Sequence, residues 1–129
     1  WQFSMNAMYQ LPLGFNVAGA FYGRQGYPIN WWRRVFGSDG EQRDLAVSDL
    51  EDQRYDNVYE LDLRLEKGVA ITQSANLTIS ADLFNVTNED TVLQRFNRLN
   101  RTGLAVGNTN DIKEIQSPRV WRFGLRLAF

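Results

Sequence analysis

The chain has 129 residues, enough for one ordinary domain, and with 43% hydrophobic and 13% aromatic residues it is not an intrinsically disordered polypeptide. Its 14 basic and 15 acidic residues leave a net charge of −1, so no basic face invites nucleic acid and no such partner is expected. Cysteine and histidine are both absent, which excludes disulfides, thiolate metal sites and Ser-His-Asp or Cys-His catalysis within the chain.

No apolar run reaches the ~18 residues of a transmembrane helix. Residue 1 is Trp, with no basic and apolar leader behind it, so the chain reads as part of a longer protein. The first element is a strand over about 1–11: Trp1, Phe3, Met5, Ala7, Tyr9 and Leu11 alternate with Gln2, Ser4, Asn6, Met8 and Gln10. A turn at Leu11-Pro12-Leu13-Gly14 leads to a second strand, 15–24, with Phe15, Val17, Gly19 and Phe21 on one face. A long connection over about 25–54 follows. The third strand, about 55–71, carries Tyr55, Tyr59, Leu61, Leu63 and Leu65 on one face and Glu60, Asp62, Arg64 and Glu66 on the other. A helix is excluded there, because a 3.6 period would scatter the leucines around its axis.

A turn near 72–75 precedes the fourth strand, about 75–87, in which Leu77, Ile79, Ala81 and Leu83 oppose Asn76, Thr78, Ser80 and Asp82. A second long connection covers about 88–116. The fifth strand, 117–129, ends RVWRFGLRLAF and sets Trp121, Phe123, Leu125, Leu127 and Phe129 against Arg122, Gly124, Arg126 and Ala128. The expected fold is therefore all-β: an antiparallel meander of about five strands, residues 1–129 forming the C-terminal segment of a transmembrane barrel. Short turns alternating with connections of roughly 30 residues match the periplasmic turns and extracellular loops of outer-membrane barrels. Aromatics bracket the apolar faces (Trp1 and Tyr9, Trp121 and Phe129), small residues mix with charges on the opposite face, and an isolated five-stranded meander would leave two bare edges. Alternation alone fits a soluble β-sandwich binding module equally well, so that alternative stays open.

The terminal octapeptide fits the C-terminal sorting signal of bacterial outer-membrane barrels, with matches at Arg122, Gly124, Leu127 and Phe129. More narrowly, YDNVYELDLRLEK, LTISADLFNVTN and IQSPRVWRFGLRLAF resemble the last three strands of TonB-dependent outer-membrane receptors, most of all the Oar-like branch. The resemblance covers about half of the chain; the two long loops match nothing nameable. It implies a bacterial outer-membrane location, a 22-stranded parent barrel, and a plug with a TonB contact outside these residues. The partners it implies are lipid, lipopolysaccharide, the barrel assembly machinery, TonB through the plug, and an imported nutrient. Another outer-membrane barrel, a porin or an adhesin, would share only the sorting signal.

Candidate chemistry is sparse. Trp31-Trp32 beside Arg33-Arg34 in the first loop is a candidate extracellular ligand contact, able to stack on a ring and grip an anion. The same loop holds Asp39, Glu41, Asp44, Asp49, Glu51 and Asp52, but without EF-hand spacing, so a solvated acidic loop is expected and no metal site. Glu60, Asp62 and Glu66 share one strand face, where pairing with arginines of nearby strands explains them better than glycosidase catalysis. Asn76, Asn85 and Asn100 begin N-x-[ST] matches and read as ordinary strand and loop residues. No catalytic residue and no cofactor is expected.

Overall fold

The computed structural model describes residues 1–49 and 52–129. In chain order its strands are β1 (Gln2–Leu11), β2 (Phe15–Arg24), β3 (Trp32–Phe36), β4 (Gln42–Ala46), β5 (Val58–Ala70), β6 (Asn76–Phe84), β7 (Val92–Arg95), β8 (Arg98–Leu99), β9 (Ile112–Ile115) and β10 (Val120–Ala128). The described residues contain no α-helix, only a single 3-10 turn at Pro12–Gly14. The chain divides into two compact units: Trp1–Arg24, Tyr59–Asp90 and Ser117–Phe129 form one, Gln25–Val58 and Thr91–Gln116 the other.

The first unit is a five-stranded sheet in the order β1-β2-β5-β6-β10, which is also the chain order of its strands. The pairs β1–β2, β5–β6 and β6–β10 are antiparallel. This is the expected meander. The sheet is open, with β1 and β10 as its edges. Three boundaries differ from expectation. Tyr55 is not on β5; it belongs to the second unit, where its hydroxyl is used. β6 stops at Phe84 instead of running to 87, because Asn85 and Asn88 take φ values of 47° and 56°. Asparagine tolerates that left-handed region better than most residues do. β10 starts at Val120, after Pro118, which has no N–H for a ladder.

Both short turns have a local cause. In the first, Leu13 and Gly14 adopt φ values of 64° and 77°, and a Cβ on Gly14 would lie 2.8 Å from the Gly68 carbonyl oxygen. In the second, Thr72 Oγ1 accepts from Ser74 N (3.3 Å) and Ala75 N (3.0 Å).

Registers carry the alternation across the sheet. Met5 faces Phe21, Leu63 faces Leu83, and Trp121, Phe123, Leu125 and Leu127 face Leu83, Ala81, Ile79 and Leu77. The result is one continuous apolar face, and it is uncovered: Phe123 is 75% and Leu125 76% exposed. Val58 is the only buried hydrophobic side chain among the described residues. Rings gather where the long connections leave the sheet, with Trp1 stacked on Phe3 (5.9 Å), Phe21 on Tyr59 (6.4 Å) and Trp121 on Phe123 (6.1 Å). At the turn end Lys67 lies on the same face and holds its ammonium 4.1 Å from the Phe15 ring centre, an apolar stem with a polar tip.

The opposite face is polar. Asp82, only 5% exposed, lies in register between Arg64 and Arg122 and pairs with both, at 3.4 Å and 2.9 Å. Arg64 also pairs with Glu66 at 2.9 Å. Of the three β5 carboxylates expected to pair with arginines of nearby strands, Glu66 instead pairs with Arg64 of its own strand and Asp62 Oδ1 accepts from Asn85 N (2.9 Å), while no ion pair of Glu60 or Asp62 is present among the described residues; the cross-strand pairs belong to Asp82. Small residues Ala18 and Ala20 beside Arg64 and Arg122 leave a concavity of about 460 Å³ on this unit.

Asn85 closes the end of the unit. Its Nδ2 donates to the carbonyls of Glu89 (2.8 Å) and Ser117 (2.7 Å), and its Oδ1 accepts from Glu89 N (3.1 Å). One buried residue therefore ties β5, through its backbone N–H to Asp62, and the approach to β10, through its side-chain amide, to the end of β6. Asn88 adds a second tie, its Oδ1 accepting from Arg119 N (3.0 Å). Replacing Asn85 by Ala removes the side-chain bonds and retains an unfavourable φ, and is expected to destabilise the folded protein by about 2–3 kcal/mol. Asn85→Gly keeps only the first cost. Equilibrium unfolding of the two variants checks both, with Gly expected to be the milder change.

Candidate functional site

The second unit is built from the two long connections together. β3 and β4 form an antiparallel hairpin that pairs Trp32 with Ala46 and Phe36 with Gln42. β8 from the second connection adds in parallel on the other edge of β3, pairing Trp32 with Arg98 and Arg33 with Leu99. Trp32 N donates to Asn97 O (3.1 Å) just before that ladder. β7 and β9 form a separate antiparallel pair, Val92 opposite Ile115, with register shifts. The ends of the first connection are held by the Pro28–Arg54 bridge and by Tyr55 N donating to Tyr27 O (3.0 Å). Gly26 is required there, because any Cβ would collide with the Tyr55 carbonyl.

This unit carries a half-open cavity of about 520 Å³, within the ~300–1,000 Å³ range of small-molecule sites. Its walls carry four rings (Tyr27, Trp32, Tyr55, Phe96), four amides (Asn30, Gln94, Asn97, Asn108), three cations (Arg95, Arg98, Lys113) and one carboxylate (Glu114). Tyr55 organises one wall: its hydroxyl accepts from Arg95 N (2.9 Å) and Asn97 Nδ2 (3.1 Å) and donates to Asn97 Oδ1 (3.3 Å). Arg95 is committed to structure, its Nη1 donating to Asn110 O (2.8 Å). Arg98 stands 5.7 Å from the Trp32 ring centre and Lys113 stands 6.0 Å from that of Phe96. Neither makes a direct ion pair among the described residues.

Beside the cavity Arg34 lies 5.6 Å from the Trp32 ring centre and pairs with Asp44 at 3.0 Å. The hydrogen bond from Arg34, with the charges of Arg34 and Arg98 behind it, holds the Asp44 carboxyl below its ordinary value. The same hydrogen bond raises Arg34.

Of the four residues singled out in INWWRRVF, only Trp32 lines the cavity, and Arg34 flanks its ring. Trp31 and Arg33 do not line it. Strand parity sends Arg33 to the opposite face of β3 from Trp32 and Arg34, and Trp31 N is held by Ser48 Oγ (3.0 Å). Tyr27, Tyr55, Phe96, Arg98 and Lys113 were missed. The run QRFNRLN over 94–100 was the available signal, aromatic, amide and basic residues close together. The acidic residues of the first loop do not converge: Asp39 pairs with Arg43 (2.7 Å), Asp44 with Arg34, and among the described residues no group of three acidic side chains gathers. Glu51 lies outside the described residues. Asn100 caps a turn, its Oδ1 accepting from Thr102 N (2.9 Å) and Leu104 N (2.8 Å).

On β10, Arg122 pairs with Asp82, and Gly124 faces Ser80, whose Oγ would lie 2.6 Å from an added Cβ. Leu127 is on the apolar face and Phe129 is 99% exposed. No known family model matches the chain, and no curated protein or solved structure shows significant similarity to it.

Tyr55→Phe removes the acceptor of the Arg95 amide and the partner of Asn97. The expected cost is about 1–2 kcal/mol to the loop unit. Hydrogen exchange checks it: the Arg95 amide should lose protection while the amides of β6 and β10 keep theirs.

Proposed function

We propose that this chain is the C-terminal part of a TonB-dependent outer-membrane transporter of a Gram-negative bacterium. In this reading the five-stranded sheet is barrel wall, β10 is the closing strand, and the loop unit is extracellular and binds an imported nutrient. The observation that carries the proposal is the uncovered apolar face shared by all five strands, opposite a face that holds the ion pairs of Asp82. A soluble sandwich would cover that face with a second sheet. Lipid satisfies it without one, and a polar lumen accepts the arginines. Four of the five strands have nine to ten residues, which at ~3.3 Å each and tilted ~40° span about 23–25 Å, the height of an outer-membrane apolar band; β5, with 13, extends beyond it. The rings at one end of the face and Lys67 at the other fit the two interfaces of such a band.

The open edges also favour this reading, since paired barrel neighbours would cover β1 and β10. The resemblance of the terminal strand supplies the barrel assembly machinery as a partner, and the plug with its TonB contact would energise passage. A porin or adhesin is the second reading; a loop cavity of small-molecule size favours a receptor that holds its ligand.

The decisive preparation is the full-length protein, folded in detergent or lipid and compared with the same protein in plain buffer. A cooperative fold in detergent and aggregation without it are expected; a dispersed, folded species in buffer would refute the membrane reading. Within that system Leu125→Arg should destabilise the barrel by about 2–4 kcal/mol, measured as a shift in the unfolding midpoint in lipid. Phe129→Ser should lower the heat-modifiable barrel in the outer membrane several-fold, read on unheated gels.

A further inference from the structure

The loop cavity has three chemical features that belong to different binding problems, and one class of ligand needs all three. Rings of Tyr27 and Phe96 are partly exposed at its wall and offer flat apolar surface. Amides of Asn30 and Asn108 carry a donor and an acceptor each, the complement of a hydroxyl, which is also both. A bare anion would need donors alone. Arg98 and Lys113 are held near rings and are not neutralised by direct ion pairs among the described residues, although the cavity includes Glu114. With Arg95 they give the wall three cations against one carboxylate.

We propose that this cavity binds an acidic oligosaccharide: linked sugar rings bearing carboxylates. The apolar face of a sugar ring rests on Phe96 and Tyr27, its hydroxyls meet the amides, and its carboxylate lies between Arg98 and Lys113. A volume of about 520 Å³ accommodates a ligand of a few rings rather than a folded protein. The assignment deepens the transporter reading by naming the nutrient class, and it rests on that reading for the import step only.

The test uses the full-length protein folded in detergent, titrated by calorimetry and tryptophan fluorescence. The probes are a galacturonate trisaccharide and the neutral galactose trisaccharide of the same linkage. Saturable binding of the acidic probe is expected, with the neutral one about tenfold weaker or worse, as befits loss of a charge-assisted contact. Arg98→Gln and Lys113→Gln should each erase most of that preference, the acidic probe losing several-fold more affinity than the neutral one. Phe96→Ala should weaken both probes. No binding of the acidic probe, equal binding of the two, or a preference that survives both charge variants would overturn the proposal. Behaviour in plain buffer is read separately, so a failed membrane reading is not confused with a failed ligand.

Discussion

Asp82 and the two arginines beside it fix the register on which the five-stranded sheet depends. In a sheet a slip of one residue exchanges the two faces of a strand completely. A slip of β6 against β5 or β10 would carry Asp82 away from Arg64 and Arg122, and would push a carboxylate onto the face now occupied by Leu77, Ile79 and Leu83. In the proposed bilayer setting that penalty would be larger still, because no water would be present to rescue a misplaced charge. The ion pairs are therefore better understood as a device for uniqueness than as a source of raw stability, since buried pairs often repay little more than their desolvation. Asn85 completes the arrangement by fixing where β6 ends and where β10 is entered.

The sheet was legible in the sequence because its information is local and periodic. Alternation at Leu61, Leu63 and Leu65, or at Trp121 to Phe129, needs no knowledge of the partner strand. The pairing of β1 with β2 and of β5 with β6 then followed from short turns. What alternation could not reveal was where a strand stops for a non-periodic reason. The positive φ at Asn85 belongs to an amide whose partners, Glu89 and Ser117, are a loop residue and a residue of the next strand's approach. Tyr55 misled for a related reason: it keeps the parity of Tyr59, yet its hydroxyl is spent in the other unit.

The loop cavity was legible only in fragments. Trp32 and Arg34 stood out as a pair of unusual residues, but the parity that separates them from Trp31 and Arg33 exists only once β3 is known to be a strand. The remaining walls come from segments far along the chain, and the parallel ladder of β3 with β8 has no signature in either stretch alone. Long-range pairings of this kind leave no period to detect.

That ladder has a consequence for how such loops diverge. Each connection contains backbone groups that are satisfied only by the other, as Trp32 N is by Asn97 O, and Tyr55 shares its hydroxyl with Arg95 and Asn97. Exchange of one connection between related chains would strand donors and acceptors in the one left behind. The two segments are thus a single unit of inheritance despite their separation in the gene, and changes of binding preference should arise through paired substitutions across them rather than through the swapping of individual loops.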